Sequence, residues 1–115
     1  GVREVSELAY TDYIENMLPN DEYIGEMVRE KLVYYPTVTR EPYKNNGRLT
    51  ELIRCGKLFL DLNQPHPNLD DDRFMICGSP SMIKELVGML KSKGFSEARN
   101  VKPGHFVIER AFVES

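Results

Sequence analysis

Apolar side chains recur at helical spacing near the start of the chain: Val5, Leu8, Ala9, Tyr13 and Met17 outline an amphipathic helix over 5–17, which Pro19 and Asn20 terminate. Ile24, Met27 and Val28 suggest a further turn or two of helix ending near Lys31. The run Leu32-Val33-Tyr34-Tyr35-Pro36-Thr37-Val38 is rich in β-branched and aromatic residues and predicts a strand. Pro36 cannot donate to a ladder, which puts that strand at a sheet edge. Residues 40–47 are polar, with Pro42 and Asn46-Gly47, and read as a loop. Leu49, Leu52 and Ile53 then outline a short helix closed by Gly56, and a small turn over 58–62 leads into the linker formed by Pro65-His66-Pro67 and Asp70-Asp71-Asp72.

The stretch Phe74-Met75-Ile76-Cys77-Gly78-Ser79-Pro80-Ser81-Met82 is an apolar strand running directly into a helix start. Ser79 is a good N-cap, and Pro80 suits the first helical position because its missing N–H would have no helix partner. Met82, Ile83, Leu86, Val87 and Leu90 share one face of the helix, Lys91 and Lys93 lie in its last turn, and Gly94 stands where a left-handed C′ residue belongs. Phe106 and Ile108, extended by Ala111 and Phe112, form a C-terminal strand and tail. The order helix, strand, helix, strand, helix, strand points to an α/β domain with an open, mostly parallel sheet.

Length and charge narrow the field. With 115 residues there is room for one domain and a modest core. Lys and Arg total 15 against 18 Asp and Glu, a formal charge of -3 that gives no reason to expect nucleic acid. Cys55 and Cys77 lack C-x-x-C spacing and read as reduced thiols of a cytoplasmic protein. No apolar run approaches the ~20 residues that span a bilayer, so no membrane partner is expected. No G-x-S-x-G, G-x-x-x-x-G-K or G-x-G-x-x-G occurs, which disfavours hydrolase and P-loop chemistry. The Asp70–Asp72 run lacks the Gly and terminal Glu of a calcium loop, and His66 and His105 stand at no metal-ligand spacing from either cysteine.

Open α/β sheets place ligand chemistry at the C-terminal ends of their strands. Cys77 therefore either faces a substrate or is a buried structural thiol. Arg3 precedes the first helix, Arg40 follows the edge strand and Arg48 opens the short helix. In a parallel sheet these junctions share one edge, so the guanidinium groups can converge on a phosphate monoester; taken singly, each is an ordinary solvated charge. Glu109 is either half-buried with a raised pKa or, by default, exposed beside Arg110.

Five segments together resemble the C-terminal pyridine-nucleotide domain of bacterial ferredoxin (flavodoxin)-NADP reductases: Arg3-Glu4-Val5-Ser6-Glu7-Leu8-Ala9-Tyr10, Tyr34-Tyr35-Pro36-Thr37-Val38-Thr39-Arg40-Glu41, Gly47-Arg48-Leu49, Met75-Ile76-Cys77-Gly78-Ser79-Pro80-Ser81-Met82, and Val107-Ile108-Glu109-Arg110-Ala111-Phe112-Val113-Glu114. The resemblance covers essentially the whole chain. It implies a Rossmann-like nucleotide-binding domain of strand order 3-2-1-4-5, with hydride exchange between NADP(H) and FAD and electrons passing to or from ferredoxin or flavodoxin. It implies that Arg3, Arg40 and Arg48 grip the 2′-phosphate of NADP. Cys77 and Gly78 would border the nicotinamide, with Ser79, Pro80 and Met82 completing the cofactor-binding turn, and Glu109 would lie near nicotinamide and flavin. Ala111 stands where many relatives carry an aromatic residue stacked on the flavin, and Phe112 to Ser115 match a tail with flavin contacts of its own.

The Arg-x-Tyr-Ser/Thr signature of the flavin-binding barrel is absent, as is the Gly-Thr-Gly-x-Ala-Pro loop that opens the nucleotide domain. By the same resemblance, residues 1–115 are the C-terminal part of the NADP(H)-binding domain, FAD is bound mainly by a barrel outside them, and the first nucleotide-domain strand is missing. Omitting a central strand exposes unpaired edges, which predicts that these residues are not an independently stable, active unit. The other readings are a non-catalytic α/β module that binds a nucleotide or a protein partner, and the reductase component of an oxygenase.

Overall fold

The most regular amphipathic pattern in the chain forms helix α4 (Pro80–Ser92), and both of its ends are fixed by local sequence. Ser79 Oγ accepts the Met82 N–H at 3.3 Å, and Pro80 occupies the first turn. At the other end Phe95 N–H reaches Leu90 O at 3.0 Å and Gly94 N–H reaches Lys91 O at 3.0 Å, with Gly94 at φ +93°. This is a Schellman closure, which needs a left-handed residue and brings the apolar side chain beyond it back onto the helix.

The computed structural model describes residues 1–110, and the chain divides into two units, Gly1–Leu49 and Thr50–Ser115. In the second unit, β1 (Phe74–Cys77) and β2 (Phe106–Glu109) pair in parallel, in register from Phe74 opposite Phe106 to Cys77 opposite Glu109. Helix α4 joins them in a β-α-β unit. Its Ile83, Leu86 and Leu90 bury against Ile76, Phe95 and Phe106, and Phe74 meets Phe95 edge to face at 5.2 Å. Side chains alternate along each strand, so Met75, Cys77, Val107 and Glu109 lie on the other, exposed face. Before the sheet, α2 (Leu49–Arg54) and α3 (Lys57–Asp61) are separated by Gly56 at φ +86°, and the His66 ring sits 4.9 Å from that of Phe59.

The first unit departs from its expected pattern. Over 5–17 the expected helix is broken into a 3₁₀ turn at Val5–Glu7 and a wide turn at Tyr13–Met17, and a second 3₁₀ turn at Leu18–Asn20 runs through the expected terminators Pro19 and Asn20. A capping box between Glu4 and Glu7 closes the first turn on itself, and Leu8 leaves helical space at ψ 85°. Val5, Tyr13 and Met17 remain exposed, so no buried face rewards continuing the helix through a segment too short to hold it alone. Helix α1 (Gly25–Lys31) forms as expected, and Asp21 accepts the N–H groups of Tyr23 and Ile24 just before it.

The expected edge strand is also corrected. Residues 32–37 form no ladder, and pairing is confined to Val38, which bridges Val2 on one side and Asn46 on the other, both in parallel. Val38 is therefore a central position rather than an edge. Pro36 lies two residues earlier, outside the bridge, so its missing N–H breaks nothing. Among the described residues no helix is long and apolar enough to cross a membrane.

Candidate functional site

Three short main-chain segments run side by side in the first unit. Val2 N–H donates to Thr37 O at 2.9 Å, Thr39 N–H to Val2 O at 3.1 Å and Arg40 N–H to Arg3 O at 2.8 Å. On the far side of Val38, its N–H donates to Asn45 O and its carbonyl accepts Gly47 N–H, each at 3.0 Å. All three segments point the same way. Arg3, Arg40 and Arg48 each lie one or two residues past their bridging residue, Val2, Val38 and Asn46, so their backbones leave the bracket at one end. Arg3 and Arg40 are joined directly through their main chains, and all three arginines are exposed. Fixed backbones carrying guanidinium groups at one edge suit a multiply charged oxyanion, because each guanidinium offers two parallel donors.

Acidic side chains next to this edge are engaged with backbone. Glu7 Oε1 accepts the Glu4 N–H at 2.9 Å, and the Glu41 carboxylate accepts the Val5 N–H. Asn46 Nδ2 donates to two carbonyls, Val38 O at 3.0 Å and Glu41 O at 2.8 Å, and Asn45 Nδ2 donates to Pro36 O at 2.9 Å. Residue type and spacing do not single out Glu41 and Asn46, whose side chains tie these segments together. The available signal was the Asn-Asn-Gly run, since asparagine side chains bond nearby backbone in irregular segments.

In the second unit the register sets Cys77 directly opposite Glu109 at the C-terminal ends of β1 and β2. Both side chains are exposed, which removes the reading of Cys77 as a buried structural thiol and agrees with the exposed alternative for Glu109. Gly78 turns the chain from β1 into α4, where a Cβ would come within 2.8 Å of Met82 Sδ. Gly78, Ser79, Pro80 and Met82 thus form one tight turn beside the thiol and the carboxylate, with Met82 half-buried against the core. This edge offers a thiol, a carboxylate and a small-residue turn, a surface suited to a flat ring approaching the backbone. Ala111 and Phe112 lie outside the described residues.

An open depression of about 410 Å³ lies at the other end of α4, lined by Lys91, Phe95, Glu97, Arg99 and Lys102, and contains none of the expected site residues. His105 acquires a structural role there: its Nδ1 accepts the Ser96 N–H at 2.9 Å just ahead of β2. Among the described residues no group of three or more His, Cys, Asp or Glu side chains could hold a metal ion.

No protein-family model matches the chain. It is 57% identical over 115 residues to a ferredoxin-NADP reductase of Pseudomonas aeruginosa, covering 99% of this chain and 45% of that protein. It is 56% identical over 115 residues to a ferredoxin-NADP reductase of Azotobacter vinelandii, again covering 99% and 45% of the two chains. A flavodoxin/ferredoxin-NADP reductase of Rhodobacter capsulatus is 42% identical over 111 residues, covering 96% and 41%. Among solved structures, a ferredoxin NADP+ reductase from Neisseria gonorrhoeae with bound FAD and NADP superposes with a TM-score of 0.59 at 31% identity, over 67% of this chain and 32% of that one. The chain thus spans under half the length of these curated relatives, and over the residues it shares with them it is similar to ferredoxin-NADP reductases.

Proposed function

We propose that this chain is the C-terminal part of the NADP(H)-binding domain of a ferredoxin (flavodoxin)-NADP reductase, working with an FAD-binding barrel outside residues 1–115. The observation that carries the reading is the parallel bracket around Val38, from whose one end Arg3, Arg40 and Arg48 emerge. In this reading they hold the 2′-phosphate, the group by which NADP differs from NAD. The fit is chemical as well as positional: a phosphate monoester is doubly charged and planar forks bind it through paired donors. The Cys77-Gly78 turn, with Ser79, Pro80 and Met82, borders the nicotinamide, and Glu109 stands opposite Cys77 on the neighbouring strand.

The finer topology belongs to the same proposal. The segments through Val2 and Val38 act as strands 2 and 3, and β1 and β2 as strands 4 and 5, of a 3-2-1-4-5 Rossmann-like sheet whose first strand is not among these residues, with the short Asn46 segment added outside strand 3. When bound, NADP(H) and FAD supply the hydride chemistry, with electrons passing to or from ferredoxin or flavodoxin. The chain's own residues bind and orient. The arginines fix one end of the dinucleotide, Gly78 keeps the turn narrow so that a ring can lie against main chain, and Cys77 lines the edge rather than attacking it.

The test is nucleotide selectivity in the FAD-loaded reductase that carries this sequence. Neutralising Arg40 as Arg40→Ala removes one charge-assisted contact worth about 1.5–3 kcal/mol, and its exposure favours the lower end of that range. NADPH affinity is expected to fall roughly ten- to one-hundred-fold with NADH affinity unchanged. Equal binding of NADPH and NADH by the unaltered protein overturns the reading.

A further inference from the structure

We infer that Asn46 is a positioning residue that sets the geometry of the arginine site, and with it the preference for a 2′-phosphorylated nucleotide; this rests on the function proposed above. Asn46 combines two roles in the bracket. Its backbone bridges Val38 in parallel, and its side-chain amide donates to Val38 O and Glu41 O, the two carbonyls that flank Thr39 and Arg40. The four-residue turn 38–41 is thereby clamped at both ends by one planar group, with Arg40 inside it. Arg48 lies two residues beyond Asn46 on the same segment, and Arg40 N–H is bonded to Arg3 O at 2.8 Å. One side chain therefore ties the segments of Arg40 and Arg48 together, while the Arg40 backbone ties in the third.

The Glu41 carboxylate completes the frame. By accepting the Val5 N–H it joins the far end of the clamped turn to the residues just past Arg3, so the turn is attached to both of its neighbours. Asn46 is exposed, which separates this role from simple stabilisation. Without its amide, Val38 O still accepts the Gly47 N–H and water can reach the exposed Glu41 carbonyl, so folding loses little, yet the turn is no longer held to one conformation. Arginines on a loosened frame must be ordered when the phosphate binds, and that ordering cost falls on the phosphorylated nucleotide alone.

The test compares Asn46→Ala, Asn46→Leu and Asn46→Gln with Arg40→Ala in the FAD-loaded reductase, measuring KM for NADPH and for NADH together with thermal unfolding. Asn46→Leu keeps roughly the size and shape of the side chain while removing both donors without adding a charge, so it covers the case in which the alanine variant fails to fold. Both variants are expected to raise KM for NADPH about ten-fold, as two neutral hydrogen bonds warrant, with KM for NADH unmoved. Asn46→Gln, which keeps the amide donors, recovers part of the loss. If the Asn46 variants change both nucleotides equally, or neither, while Arg40→Ala is selective for NADPH, the positioning role is wrong and the arginine site stands. If Arg40→Ala is itself unselective, the functional reading fails and this inference fails with it.

Discussion

Two glycines in this chain should respond to the same substitution with opposite signs. Gly88 lies in the exposed middle of α4, where an added Cβ meets nothing within 4 Å. Alanine there removes the unfolded-state entropy that glycine carries and should stabilise by roughly 0.5–1 kcal/mol. Gly25 opens α1 and is buried, and an added Cβ would stand 2.5 Å from Pro19 O and 3.1 Å from Pro19 C. Both are backbone atoms, so no side chain can swing aside. Nonbonded heavy atoms settle at roughly 3.5–4.0 Å, which means α1 must back away from Pro19 by about 1 Å. That movement strains the Gly25 N–H to Asp21 O bond of 3.0 Å and the Arg29 guanidinium contact to Pro19 O. Overpacking of this kind costs about 1–3 kcal/mol. The gain in helix propensity is at most about 1 kcal/mol, so the clash decides the sign. Thermal unfolding of the natural polypeptide should show Gly88→Ala raising Tm and Gly25→Ala lowering it, by about 2–4 °C per kcal/mol. An equal rise in both variants would refute the close approach of α1 to Pro19.

Two further outcomes follow from caps. Ser79→Ala removes the acceptor for the Met82 N–H and should cost about 1 kcal/mol, seen as a lower Tm and faster hydrogen exchange at the Met82 amide; an unchanged Met82 amide would deny Ser79 its capping role. The N–H groups of Ile24 and Tyr23 hold the Asp21 carboxyl below its ordinary value, so its folded pKa is depressed. The stabilisation is complete above the ordinary Asp value of about 3.9 and is lost as pH falls through the lower folded value. Amide shifts of Tyr23 and Ile24 should titrate in that acid window in the native sequence and stay flat in Asp21→Asn, which keeps the acceptor without the charge.

What could be read from the sequence divides along physical lines. The β-α-β unit was legible because each of its parts is locally determined: Ser79 and Pro80 start α4, Gly94 stops it, and the buried face of Ile83, Leu86 and Leu90 repeats at helical spacing. The amino-terminal helix is not legible from spacing, which records which residues share a face but not whether anything covers it, and Val5, Tyr13 and Met17 stay exposed. Pro36 misled for a related reason. A proline excludes a ladder bond only at its own position, and pairing in that segment is confined to Val38, whose N–H and carbonyl both serve the Asn46 side of the bracket.

The candidate site shows the same division at finer grain. Arg3, Arg40 and Arg48 could be grouped in advance because parallel segments deliver their C-terminal ends to one edge, whatever the details of their pairing. Cys77 and Glu109 follow the same rule one strand apart, as direct partners in the register. Asn46 could not be grouped with them, because its contribution depends on which carbonyls lie within reach of an amide in an irregular turn. Two distances decide it, 3.0 Å to Val38 O and 2.8 Å to Glu41 O. Residue type and spacing thus identify the groups that would touch a ligand, while the groups that hold them still are found only in the tertiary hydrogen bonds. An exposed asparagine that satisfies two backbone carbonyls looks like loop filler in a sequence, yet it ties together two of the backbones that carry the phosphate-matching charges. On the proposed function, selectivity for a phosphorylated nucleotide should accordingly be sensitive to Asn46, which acts on the arginines' backbones rather than on the phosphate, and insensitive to solvated charges outside the bracket such as Lys84 on the exposed side of α4.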